Sequence, residues 1–117
     1  MDITSRDADH IIVLELSGRF DAHEKPKIAA HLEEAASQPG VQVLVNMSGV
    51  NFIDSTGLSS LVQGMKHCRQ QNGNLSLCAL QQPVRIIFEL TRLDRAFDIY
   101  KTEEEALFAI ASYRAAI

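Results

Sequence analysis

Apolar stretches of strand length alternate along the chain with stretches of helical spacing. Residues 3–7 read as a short first strand. Residues 10–16 (HIIVLEL) are the second, and Ser17 and Gly18 read as the turn that ends it. Ile28, Leu32, Ala35 and Ala36 stand at i, i+4, i+7 and i+8, which predicts an amphipathic helix over 24–37. Pro26 falls in its first turn, where a missing N–H costs nothing, and Pro39 and Gly40 close it. Residues 41–47 (VQVLVNM) form the best strand pattern. Val41, Val43, Val45 and Met47 lie on one side, and Leu44 adds a partly buried second side, so a central place in the sheet is expected. Residues 50–53 then lead into Asp54, Ser55, Thr56 and Gly57.

The second half repeats the alternation. Leu58, Leu61, Val62, Met65 and Cys68 predict a helix over 56–71, stopped by Asn72 and Gly73. Residues 74–80 (NLSLCAL) alternate as a strand. Pro83 opens a third helix whose inward face is Val84, Ile87, Phe88 and Leu90. Residues 97–100 read as a short last strand. Thr102 and Glu105 fit a capping box for a final helix, with Leu107, Phe108, Ile110 and Ala111 on its buried side. Strands alternating with helices imply an α/β fold with parallel pairings. At this length a doubly wound three-layer fold is cramped. A mixed sheet of four or five strands with about four helices, mostly on one face, is expected.

Composition narrows the class. The 117 residues suit one domain, residues 1–117. With 46% hydrophobic and 22% charged residues, neither a disordered tail nor a coiled coil is expected. No apolar run approaches the ~18–20 residues of a membrane helix. The first ten residues are polar and acidic, unlike a signal peptide, so a cytoplasmic protein without membrane association is expected. Net charge is -4, without the basic stripe of a nucleic-acid binder. Two cysteines, Cys68 and Cys78, read as buried thiols. The four histidines show no ligand spacing, so no metal and no cofactor are expected.

The chemistry concentrates in residues 50–58 (VNFIDSTGL), which run from a strand through a polar turn into a helix N-terminus. The first N–H groups of a helix lack partners, and its positive dipole end favours anions. A hydroxyl placed there is exposed and sits beside a phosphate-stabilising site. Gly57 lets a second backbone come close. Capping preference alone makes Ser55 the N-cap of this helix and Asp54 a turn residue.

Residues 51–58 (NFIDSTGL) resemble the aromatic-x-Asp-Ser-(Ser/Thr)-Gly-Leu signature of the STAS domain, in particular the small stand-alone anti-sigma factor antagonists of bacteria. Three weaker matches follow in order: residues 17–21 (SGRFD), 73–77 (GNLSL) and 85–93 (RIIFELTRL). The resemblance covers about residues 12–111. It implies that Ser55 is phosphorylated by a partner that is both anti-sigma factor and serine kinase, of histidine-kinase-like ATPase fold, with Thr56 the runner-up acceptor. The unphosphorylated form would bind the kinase and free the sigma factor. A metal-dependent serine phosphatase would reset the phosphorylated form. Asp21, His23, Asp54, Ser55, Thr56, Gly57, Leu58 and Ser59 would form the partner surface. Two departures from the family pattern stand out: Arg92 and Ser59 occupy positions where glycine is common.

Asp21 reads equally as a turn or cap residue. A catalytic reading lacks its parts. Ser55 has no histidine nearby in sequence, and neither a Gly-x-Ser-x-Gly elbow nor a Walker motif is present, so no enzyme is expected. Two other functions remain open: a STAS regulatory subunit of a transport complex, and a small-ligand or nucleotide binder using the helix at Gly57.

Overall fold

The computed structural model describes the backbone of residues 1–116 and the side chains of residues 1–113. Five strands form one sheet in the order β1-β2-β3-β4-β5: β1 Asp2–Ala8, β2 Ile11–Phe20, β3 Gln42–Ile53, β4 Asn74–Cys78 and β5 Ile99–Tyr100. The β1–β2 pair is antiparallel and the other three are parallel, so the sheet is mixed as expected. The helices are α1 Lys25–Ala35, α2 Ser55–Gln70, α3 Gln82–Leu90 and α4 Glu103–Ala116.

Strand order dictates where the helices go. Three crossovers, β2 to β3, β3 to β4 and β4 to β5, all step in one direction across the sheet. With a common right hand they must lie on one face. Accordingly Ile28 and Leu32 of α1, Leu61, Met65 and Cys68 of α2, and Val84 and Phe88 of α3 share a core with Leu14, Leu16, Val43, Val45, Leu75 and Leu77. α4 follows the last strand and covers the second face. There Ala106 and Ile110 pack on Ile11, Val13, Leu44 and Cys78. Leu44 is fully buried, not partly, because α4 seals its side of the central strand.

The strands differ from the sequence reading at their ends. Ser17 and Gly18 do not turn the chain; β2 continues through them to Phe20, with Gly18 at φ +109°. Segments 41–47 and 50–53 are one strand, not a strand and a lead-in. Between Glu15 and Ser17, and again between Gly18 and Arg19, β3 gains a residue on β2. These bulges break the two-residue alternation. Met47, Val50 and Ile53 therefore all reach the helical core although they stand three apart. β4 stops at Cys78, where Ala79 turns to φ +61°.

Candidate functional site

The bulged ends of β2 and β3 build the site. Phe20 pairs with Ile53, and the Phe20 carbonyl accepts the N–H of Asp54 at 3.2 Å. This ties the end of β2 to the turn that opens α2. Asp54 is extended (φ -107°, ψ -176°) and is the N-cap of α2. Its Oδ1 accepts the N–H of Gly57 at 2.9 Å, and its Oδ2 accepts the N–H of Ala22 at 3.2 Å. One carboxylate thus caps a helix and clamps the loop after β2. The cap falls to Asp54 and not to Ser55, because Asp54 holds the extended conformation an N-cap requires.

Ser55 is then the first residue of α2, with its side chain exposed. Its Oγ has no hydrogen-bond partner among the described residues. The backbone donors of the first helical turn lie beside it, where an added anion is favoured. Thr56 is half-buried, and its carbonyl accepts the hydroxyl of Ser60 at 3.0 Å. Gly57 is buried against the other strand end. A Cβ there would lie 2.7 Å from the Phe20 carbonyl oxygen and 2.8 Å from Ile53 Cγ1. Any larger residue would push α2 away from β2. Leu58 is half-buried against the helical core, and Ser59 is exposed.

Asp21 and His23 stand in the loop that Asp54 clamps. Asp21 caps the short 3-10 turn Ala22–Glu24, its Oδ1 accepting the N–H of His23 at 3.1 Å. The His23 side chain is exposed. The structure thus gathers all eight predicted residues, 21, 23 and 54–59, around two neighbouring strand ends. Two further residues that sequence reading did not single out lie beside them. Arg19 pairs with Phe52 across β2 and β3, and its guanidinium lies 3.8 Å from the centre of the Phe52 ring. Its Nε is also 3.8 Å from Asp21 Oδ2. No local signal marks that pair, which exists only through a bulged register.

The turn presents an exposed hydroxyl, that of Ser55, next to a capping carboxylate. Each oxygen of the adjacent carboxylate accepts one backbone N–H group, which makes Asp54 the cap of α2 and the tie to the loop after β2. No group of three or more His, Cys, Asp or Glu among the described residues could hold a metal ion. No described helix is long and apolar enough to cross a membrane. A cleft of about 510 Å³ between the β4–β5 edge and α4 is lined by Ser76, Asp98, Tyr100 and Tyr113, away from the turn.

Comparison with known proteins places this geometry in a family. The STAS domain model matches residues 2–106. The anti-sigma-B factor antagonist of Listeria monocytogenes is 32% identical over 105 residues, which cover 90% of this chain and 91% of that protein. The solved anti-sigma-factor antagonist (STAS) domain protein of Planctomyces limnophilus superposes with a TM-score of 0.84 at 27% identity, covering 95% of this chain and 99% of that one. The anti-sigma factor antagonist SpoIIAA in its unphosphorylated form gives a TM-score of 0.81 at 24% identity, covering 95% and 97%, a likeness of fold. A family model spanning nearly the whole chain leaves one assignment: this chain belongs to the STAS domain family.

Proposed function

We propose that this protein is an anti-sigma factor antagonist that works by partner exchange, with Ser55 as its phosphate acceptor. The observation that carries this is the division of labour in the turn. Asp54 holds the helix and the neighbouring loop, while Ser55 Oγ is exposed and unengaged at the first helical position. The naming of the Listeria relative supports the function.

In this reading the protein is a substrate and not an enzyme. An anti-sigma factor with serine kinase activity and a histidine-kinase-like ATPase fold supplies ATP and the base. Ser55 Oγ attacks the γ-phosphorus, the bond to ADP breaks, and the hydroxyl proton passes to the kinase. The phosphoserine carries about -1.5 to -2 charges at one point of the contact surface. The kinase was matched to a neutral hydroxyl there, and an unmatched buried charge costs several kcal/mol. At ~1.4 kcal/mol per decade, affinity falls by two decades or more. The kinase is then free to hold its sigma factor, until a metal-dependent serine phosphatase hydrolyses the ester. Asp21, His23, Thr56, Leu58 and Ser59 form the rim of the same contact. All of this takes place in the cytoplasm.

The test is mass spectrometry of the protein after incubation with its cognate kinase and ATP, followed by binding titrations. Phosphate is expected on Ser55, with Ser55→Asp binding the kinase weakly and Ser55→Ala binding it but resisting labelling. Phosphate on Thr56 or Ser59, or equal affinity of Ser55→Asp and wild type, overturns the proposal.

A further inference from the structure

Beside the serine, the strand ends carry a cation that is only loosely held. Arg19 and Phe52 stand opposite each other on β2 and β3, while their neighbours Phe20 and Ile53 are buried in the helical core. By the alternation of a strand, Arg19 and Phe52 therefore point to the other side of the sheet. The Arg19 side chain is 61% exposed. It rests on the Phe52 ring at 3.8 Å and reaches Asp21 Oδ2 at 3.8 Å, the outer limit of an ion pair. An exposed cation–π contact and a long surface ion pair both hold a side chain weakly. Asp21 already accepts the His23 N–H through Oδ1, so its charge is shared.

We propose that Arg19 is the residue that answers phosphate on Ser55, its guanidinium leaving Phe52 and Asp21 for the phosphoryl oxygens. This rests on Ser55 being the acceptor. The path between the two is short. Arg19 touches Asp21, the next residue Ala22 donates its N–H to Asp54 Oδ2, and Ser55 follows Asp54. Both residues flank one turn, because the Asp54 N–H donates to the carbonyl of Phe20, the residue after Arg19. A guanidinium presents a planar fork that binds phosphate bidentately, and a dianion outbids a single, shared carboxylate. The move has a consequence beyond charge. It bares the Phe52 ring and leaves Asp21 without its cation, so one phosphate alters three neighbouring points of the surface.

The experiment places phosphoserine at position 55 during translation, which needs no kinase. In the unphosphorylated protein the Arg19 side-chain protons are expected upfield, shielded by the Phe52 ring, and Phe52→Leu abolishes that shift. In the phosphoprotein they return towards ordinary positions. Phosphorus NMR then follows the second proton of the phosphate. It is expected to leave at lower pH in wild type than in Arg19→Gln, an acidity difference of about threefold or more. Lys66→Gln, which removes an exposed cation about three helical turns along α2 from Ser55, is expected to titrate like wild type. Arg19 resonances unmoved by phosphorylation, or equal phosphate titration in wild type and Arg19→Gln, overturn the proposal. Kinase labelling at a residue other than Ser55 counts against the switch alone, since the Arg19 measurement does not use the kinase.

Discussion

Asp54 and Ser55 are adjacent, yet the fold uses only one of them. Both Asp54 oxygens hold backbone N–H groups, from Gly57 and Ala22. Asp54→Ala is therefore expected to cost about 1–2 kcal/mol, as a lost cap with an orphaned loop donor. Ser55→Ala is expected to stay within about 0.5 kcal/mol, like other exposed substitutions away from a structural feature. Urea melts of the two variants check the order. Gly57→Ala belongs to the same scale. The added methyl meets a backbone oxygen at 2.7 Å, which cannot rotate away as a side chain would. A loss of ~1–3 kcal/mol is expected, by the general cost of overpacking. The Asp-Ser-Thr-Gly run was legible in the sequence as a helix start. Its division of roles was not, because Asp and Ser cap almost equally well and only the backbone conformation chose between them.

At the scale of elements, a helix shows its buried stripe only as far as its neighbours extend. In α2, Leu61 is fully buried beneath the sheet. Leu61→Ala is expected to cost ~2–5 kcal/mol, the usual range for a buried leucine. The helix faces predicted for α3 and α4 were too wide. Leu90 is 78% exposed and Phe108 is 76% exposed, although both were expected inside. Phe108 is two residues from both Ala106 and Ile110, which touch the sheet, and two helical residues turn it by about 200° to the opposite side. Leu90 is the last residue of α3, past the strands that bury Val84 and Phe88. Leu90→Ala and Phe108→Ala are each expected within about 0.5 kcal/mol of wild type in the same melts. The Thr102 cap was legible: its Oγ1 accepts the Glu105 N–H at 3.1 Å.

At the scale of the whole molecule, one polar cluster joins four elements on the α4 side. Arg6 of β1 pairs with Glu15 of β2 at 3.2 Å and with Glu103, the first residue of α4. Asn46 of β3 donates to Glu103 at 3.1 Å. Burial pushes the Glu103 carboxyl up, but the Asn46 and Arg6 contacts outweigh it and hold the group below its ordinary 4.5. A depressed carboxylate contributes stability above its unfolded value, and that stability is lost as pH falls through the folded value. The urea midpoint of Glu103→Gln is therefore expected below that of wild type at neutral pH. The gap is expected to close as pH falls below about 4.5. Beneath this cluster the Cys78 thiol is pushed up to about 12, first by burial and then by the Glu103 charge. The thiolate is the reactive form, so alkylation at mildly basic pH is expected to be slow in the folded protein and fast in urea.

The sequence by itself determined the element types and their order. Those follow from local spacing: two for a strand, 3.6 for a helix, with proline, glycine and capping residues at the boundaries. It also placed the polar run Asp54, Ser55 and Thr56 at a helix start, since a polar run between a buried strand and a helix is a local signal. Three things waited for the tertiary structure. The bulges in β3 appear only against β2, because an extra residue is extra only relative to a partner strand. The depth of each helical stripe depends on which strands lie beneath it. And the contacts among Arg19, Asp21 and Phe52 join residues up to 33 positions apart in the chain. No spacing rule reaches that far, since the neighbours are chosen by the pairing of two strands and not by the chain between them.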